Sequence, residues 1–265
     1  YILRNFRNCF VIFKNKYMPN DYIKILGINF FNGNVKNVFN ALNSNGGLLT
    51  VPAAPALATI KNDHDYYNSL LSSDIVIPDS GYMVLIWNLF FKEKISKISG
   101  LEFINYFIKE IPNQENKNLF LINPSEIDTE INRDFFNKLG VQIPQEASYS
   151  APYYKNNVVD TALIELIEKN KPNWIIINLG GGTQEKLGLF IKNKLSYTPA
   201  IICTGAALAF KTGRQVNIPA IIDKLYLGWL FRCVSNPKLF IPRYLKGFSL
   251  ILIILQFRSK RVTSN

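Results

Sequence analysis

Two short segments carry residue types whose spacing suits chemistry on a charged ligand. The first reads Ser73-Asp74-Ile75-Val76-Ile77-Pro78-Asp79-Ser80-Gly81-Tyr82. Asp79 follows an apolar run and precedes turn-forming residues, which puts a carboxylate at the carboxyl end of a strand, the edge where open α/β sheets bind ligands. There it can take a proton from a substrate hydroxyl. Asp before Ser-Gly also serves as an ordinary turn or helix cap. The second segment runs from Trp174 through Gly180, Gly181 and Gly182 to Gln184 and Glu185. An apolar strand, three glycines and the start of a helix let backbone N–H groups approach an anion closely, and a diphosphate is the natural guest. The loop lacks the Lys-Ser/Thr of a phosphate-binding P-loop and the spacing of a dinucleotide fingerprint. Two further strand ends point the same way. Leu48-Leu49-Thr50-Val51-Pro52-Ala53-Ala54-Pro55 places Thr50 at a strand terminus, and its prolines predict a non-helical exit. Ile201-Ile202-Cys203-Thr204-Gly205-Ala206-Ala207 sets small residues, Gly205 among them, where a ring or ribose needs room.

Short apolar runs must position these residues. Strands are expected at Ile25–Phe30, Leu48–Val51, Ile75–Ile77, Leu119–Ile122, Trp174–Asn178 and Ile201–Thr204. Several lack alternation, as strands buried on both faces do. Helical patterns fall between them at Val35–Leu42, Tyr66–Leu71, Met83–Phe90, Glu102–Ile111, Glu126–Leu139, Thr161–Asn170 and Gln184–Leu195. The alternation predicts an α/β, Rossmann-like layered domain with a mainly parallel sheet. Near residue 214 the pattern becomes helical, basic and punctuated by Pro219, Pro237 and Pro242. The reading is therefore an α/β body over 20–214 and a helical basic appendage over 215–265.

Composition narrows the partners. The 265 residues are 48% hydrophobic and carry a formal charge of +11, enough apolar content for a sizeable core. No acidic residue follows Asp223, whereas Lys224, Arg232, Lys238, Arg243, Lys246, Arg258, Lys260 and Arg261 do. Such a tail attracts phosphate-bearing substrates, nucleic acid or anionic lipid. Its cations interleave with aliphatic side chains and form no aromatic stacking strip, which counts against a nucleic-acid partner. The single histidine, His64, and three scattered cysteines provide no metal-ligand spacing and no disulfide framework, as expected of a reducing cytoplasm. No segment reaches the ~18–20 apolar residues of a membrane span. The stretch Phe248–Phe257 suits an element lying in a membrane interface.

Taken in order, these segments resemble the WecG/TagA/CpsF glycosyltransferases from about Ile25 to Tyr244. Leu26-Gly27-Ile28 matches the family's opening strand, Thr50-Val51-Pro52 its Thr-x-Pro element, and Pro78-Asp79-Ser80-Gly81 its Pro-Asp-Gly element. Lys97-Ile98-Ser99-Gly100-Leu101-Glu102 follows, then Gly181-Gly182-Thr183-Gln184-Glu185 for the glutamine signature. Gly228-Trp229 to Arg232, Asn236-Pro237 and Arg243-Tyr244 close the pattern. The resemblance implies inverting, metal-independent transfer of an amino sugar, often N-acetylmannosamine, from a UDP donor to a polyprenyl-diphosphate-linked sugar. It implies a cytoplasmic enzyme peripheral to the inner face of the plasma membrane, with self-association possible. Asp79 falls on the base, Gln184 near the sugar, Thr50 on the family's threonine, and Arg232 and Arg243 over the diphosphate. With Gly180, Gly181, Gly182, Glu185 and Gly205 these make the expected substrate site. Three departures touch it: Gly228 replaces a glutamate, Ser80 a glycine, and Ala53-Ala54-Pro55 an expected asparagine.

Overall fold

In the computed structural model, residues 21–155, 158–214, 233–234 and 237–263 are described. The first described elements are a hairpin, β1 (Tyr22–Ile25) and β2 (Ile28–Phe31), paired antiparallel with Ile25 opposite Ile28. The apolar pattern alone reads as one strand through these residues. Leu26 (φ 54°) and Gly27 (φ 78°) instead form a two-residue turn with positive φ at both positions, the geometry that matches the twist of a tight hairpin. The turn is clasped from outside. Leu26 N–H donates to the Arg258 carbonyl (2.6 Å), and the Tyr67 hydroxyl donates to the Leu26 carbonyl (2.7 Å) while accepting from Val262 N–H (2.9 Å).

The remaining strands and α-helices among the described residues are, in chain order, α1 (Val35–Asn45), β3 (Gly47–Thr50), α2 (Ala54–Leu57), α3 (His64–Leu71), β4 (Ile75–Val76), α4 (Gly81–Phe90), α5 (Gly100–Glu110), β5 (Leu119–Asn123), α6 (Glu126–Lys138), β6 (Ser148–Ser150), α7 (Thr161–Asn170), β7 (Trp174–Ile177), α8 (Thr183–Lys194), β8 (Ala200–Cys203), α9 (Ala207–Lys211), α10 (Pro237–Gly247) and α11 (Leu250–Phe257). The strands form one sheet in the order β1-β2-β4-β3-β8-β7-β5-β6, parallel everywhere beyond the hairpin. This is the α/β, mainly parallel architecture expected. Every residue of β3, β5, β7 and β8 is buried, so these strands show runs of apolar residues without alternation. The prolines after Thr50 do not block a helix: α2 begins at Ala54 with Pro55 in its first turn, where a missing N–H costs no hydrogen bond.

Strand alternation sorts the helices onto two faces. On α8, Gly188 packs directly on Leu48 and Cys203: a Cβ there would lie 2.8 Å from Leu48 Cδ1 and 2.9 Å from Cys203 Sγ. On α5, Gly100 packs on Val51 and Thr204, the next residues along their chains from Thr50 and Cys203 and so turned to the other face. The main core fills both faces of the central strands and includes Phe39, Phe107 and Trp174, whose rings stack or meet edge to face. A second core lies between the hairpin and α2, α3, α4 and α11, with Phe30, Tyr66, Trp87 and Ile254 inside it. Helix α11 thus shares a core with the N-terminal hairpin, although its basic, proline-punctuated surroundings read in sequence as an appendage.

Candidate active site

The ends of four neighbouring strands, β4, β3, β8 and β7, form the carboxyl edge at which the expected site residues gather. Asp79 leaves β4 through Ile77 and Pro78. Its N–H turns back to the Ile77 carbonyl (3.0 Å), and its Oδ1 accepts from the N–H of Gly100 (2.9 Å), the first residue of α5. The half-buried carboxylate therefore sits at the electropositive end of a helix, a position that favours negative charge. Ser99 caps that helix, its Oγ accepting from Glu102 N–H at 3.0 Å. Gly100 makes the close approach possible. A Cβ at this position would lie 3.2 Å from Val51 Cγ1 and 3.3 Å from the Thr204 carbonyl oxygen. Helix α5 therefore starts directly on the ends of β3 and β8. Ser80 acts locally, its Oγ accepting from Met83 N–H (3.1 Å) and capping α4.

The glycine loop follows β7 on the opposite side of this edge and leads into the twelve-residue helix α8. Gly180 and Gly181 are exposed, a Cβ on either would meet nothing within 4 Å, and neither has the positive φ that restricts a position to glycine. The fold itself gives no reason for their identity; close approach of a ligand does. Gly182 does need glycine, with φ at 93°.

Gln184 and Glu185 lie beneath the loop, 2% and 1% exposed. Glu185 Oε2 accepts from Gly182 N–H (2.6 Å), and Oε1 accepts from Gln184 Nε2 (2.9 Å). Gln184 Oε1 in turn accepts from Gly205 N–H (2.8 Å), where the chain turns after β8 with φ at 63°. Burial raises the Glu185 carboxyl to about 7, partly offset by the Gln184 and Gly182 hydrogen bonds. Thr50 is fully buried and its hydroxyl donates to Ser73 Oγ at 3.0 Å, so it occupies the expected strand end while facing into the protein. Thr204 is 7% exposed, and its buried hydroxyl has no partner among the described residues.

The structure thus brings together Asp79, Gly180, Gly181, Gly182, Gln184, Glu185 and Gly205, with Thr50 enclosed at the same edge. Arg232 and Gly228 lie outside the described residues. Arg243 belongs to α10, which packs on α2: a Cβ at Gly247 would lie 3.5 Å from the backbone nitrogen of Pro55. Sequence reasoning gives no role to Gly100 or Thr204. The Ser99-x-x-Glu102 spacing, a capping signature, marks the helix start that holds Asp79.

Residues 23–264 match the model of the glycosyl transferase WecG/TagA/CpsF family. The chain belongs to this family of glycosyltransferases. It is 27% identical over 204 residues to an N-acetylglucosaminyldiphosphoundecaprenol N-acetyl-beta-D-mannosaminyltransferase of Bacillus subtilis, covering 74% of this chain and 75% of that one. A Bacillus spizizenii enzyme of the same name is 26% identical over 216 residues, 77% of this chain and 79% of its own. The motifs that carried the family resemblance, from Leu26-Gly27 to Arg243-Tyr244, lie within the matched span. The glycosyltransferase edge is built from two helix N-termini, α5 and α8, that approach the central strands from opposite faces. One holds a carboxylate; the other presents an open glycine loop.

Proposed function

We propose that this glycosyltransferase moves an N-acetylhexosamine, N-acetylmannosamine in the first instance, from a UDP-sugar to a polyprenyl-diphosphate-linked acceptor in cell-surface polysaccharide synthesis. The relatives' names supply the sugar and the lipid-linked acceptor. The observation that carries the reading is the placement of Asp79 and the open glycine loop along one sheet edge. The acceptor hydroxyl attacks the anomeric carbon, the bond from that carbon to the UDP oxygen breaks, and the proton passes to Asp79. Attack opposite the leaving group inverts the centre. Charge growing on the UDP diphosphate meets the N–H groups of the glycine loop and the cations of the basic tail, Arg232 and Arg243 among them. This assigns leaving-group stabilisation to the protein and requires no metal.

The acceptor's lipid directs the enzyme to the cytoplasmic face of the plasma membrane. Among the described residues no helix is long and apolar enough to cross a membrane. Helices α4, α10 and α11 nevertheless expose Leu85, Leu89, Phe90, Ile241, Leu245, Leu252 and Leu255. Exposed cations follow α4 at Lys92 and α11 at Arg258 and Lys260. Apolar side chains beside cations suit peripheral contact with anionic lipid.

The test is purified protein with a panel of UDP-sugars and a short-chain lipid-diphosphate N-acetylglucosamine acceptor, scored by acceptor-dependent release of UDP. Turnover with UDP-N-acetylmannosamine above all other donors is expected. Turnover with a different UDP-hexose alone would keep the reaction and replace the sugar, and no turnover with any donor would refute the proposal.

A further inference from the structure

The family resemblance places the buried Gln184–Glu185 pair against substrate, yet its geometry describes a different role. Both oxygens of Glu185 accept hydrogen bonds from within the protein, one from Gly182 N–H and one from the Gln184 amide. Gln184 passes the connection to Gly205 N–H. Three N–H···O contacts of 2.6, 2.9 and 2.8 Å thus tie the end of the glycine loop to the turn after β8. These are the two backbone segments that flank the open space of the carboxyl edge. The relay is fixed from below as well, since the Gln184 carbonyl accepts from Cys203 Sγ at 3.3 Å.

We propose that Glu185 is a positioning residue: its carboxylate fixes the spacing between the glycine loop and the Gly205 turn, and so sets the affinity for the donor's diphosphate without touching it. This rests on the reading of that edge as the donor site. Preorganised groups bind because the cost of ordering them is met on folding rather than on ligand binding.

Acceptance from both N–H groups is strongest with the ionised carboxylate, whose two oxygens only accept. A protonated carboxyl, or the amide of a Glu185→Gln variant, places a donor where one of the N–H groups already points. The groups facing Glu185 offset its burial only in part: Tyr66 of α3, with no hydrogen-bond partner for its hydroxyl among the described residues, and Cys203 of β8 are themselves buried, and the lowering charge of Lys186 beside it on α8 is shared with Asp63. With its carboxyl raised to about 7, Glu185 loses its charge as pH falls through neutrality. The relay is therefore complete at pH 8 and opens toward pH 6.

Donor kinetics of wild type and E185Q between pH 6 and 8 test the proposal. At pH 8 the variant is expected to show a donor KM raised about tenfold with kcat within about threefold, since positioning acts on binding. The wild-type KM is expected to rise below about pH 7, while that of E185Q stays flat. A variant with wild-type KM and pH profile would overturn the proposal, as would a kcat loss beyond a hundredfold at unchanged KM, the mark of a group acting on the reacting atoms. Amide hydrogen exchange tests the relay whatever the reaction is. At pH 8, Gly182 and Gly205 should exchange faster in E185Q than in wild type, and should both gain speed in wild type beyond the intrinsic pH effect as pH falls to 6. If both keep their protection in each case, the relay is refuted. If they lose it while no UDP-sugar is turned over, the assigned reaction fails and the relay stands.

Discussion

At the scale of single residues the site divides into groups that serve the fold and groups that the fold does not explain. Asp79 does both. Its Oδ1 holds the first N–H of α5, which orients the carboxylate. Replacement by asparagine preserves an oxygen for that bond and removes the proton acceptor. Asp79→Asn is therefore expected to fold normally by circular dichroism and thermal unfolding and to lose roughly 10²–10⁴-fold in kcat, the usual contribution of a general base. Near-normal turnover would remove Asp79 from the mechanism. Gly181 makes the complementary case. Its Cβ position is open and its φ is ordinary, so Gly181→Val should leave Tm within about 1–2 °C, as surface substitutions do. The same side chain fills the space a diphosphate would occupy, and donor KM should rise tenfold or more, on the order of 1.4 kcal/mol or above. A variant that binds UDP as the parent does, measured by calorimetry, would place the diphosphate elsewhere. The sequence displays Asp79 and the glycines because each stands at the end of an apolar run. It does not show that Thr50 turns inward to Ser73 or that Gln184 and Glu185 lie beneath the loop, because these depend on which sheet face each side chain takes.

At the scale of elements, the central strands and the longer body helices are legible because burial on both faces leaves uninterrupted apolar runs and caps mark the helix starts. Ser80, Ser99, Ser125 and Asp160 each cap a helix with their own side chain. What the sequence hides has local physical causes. The turn at Leu26-Gly27 lacks the usual Asn-Gly or Asp-Gly signal, since a leucine holds a left-handed φ under the Tyr67 hydroxyl and the C-terminal segment. Strand β6 is a three-residue edge strand with no fully buried residue, so it leaves no apolar run. Helix α2 is obscured by Pro55, whose place in a first turn is permissive. The caps also join elements to the site. Ser80 follows Asp79 directly, and Ser80→Ala should cost about 1 kcal/mol through the lost Met83 N–H bond, which lowers Tm by roughly 2–4 °C in a chain of this size. Because the first turn of α4 anchors the loop carrying Asp79, kcat should fall with it. Ser80→Asp, which restores an oxygen acceptor at the cap, should recover Tm, whereas an unchanged Tm in Ser80→Ala would show that the cap does not hold this helix.

Across the whole molecule, the second core holds together the helices proposed to meet the membrane. Helices α4 and α11 pack together, with the Tyr82 ring edge-on to Phe248 and its hydroxyl donating to the Phe248 carbonyl. Neither helix contains a charged residue. A helix that is apolar all round belongs in a core or in lipid, and each of these buries one side while exposing another: Leu89 is 76% and Leu252 is 68% exposed. Leu85 and Leu89 on α4 are one turn apart and Leu252 and Leu255 on α11 are three residues apart, so each helix presents a stripe rather than scattered side chains. Asp79 lies just before the first turn of α4, which brings the proposed base to the root of this surface. Burying the exposed part of each leucine contributes roughly 1–2 kcal/mol, and the cations beside α11 add about 1 kcal/mol each near anionic lipid. Leu89→Asp with Leu252→Asp should therefore lower binding to phosphatidylglycerol-containing vesicles by ~100-fold or more in flotation. Transfer to a short-chain soluble acceptor should remain, since neither side chain belongs to the site. Wild-type binding should also weaken as salt rises from about 0.05 to about 0.5 M, because the charge component is screened over a shorter length. Undiminished flotation of the double variant, together with conversion of an oligomer to a monomer by light scattering, would instead make this face a contact between two copies of the enzyme.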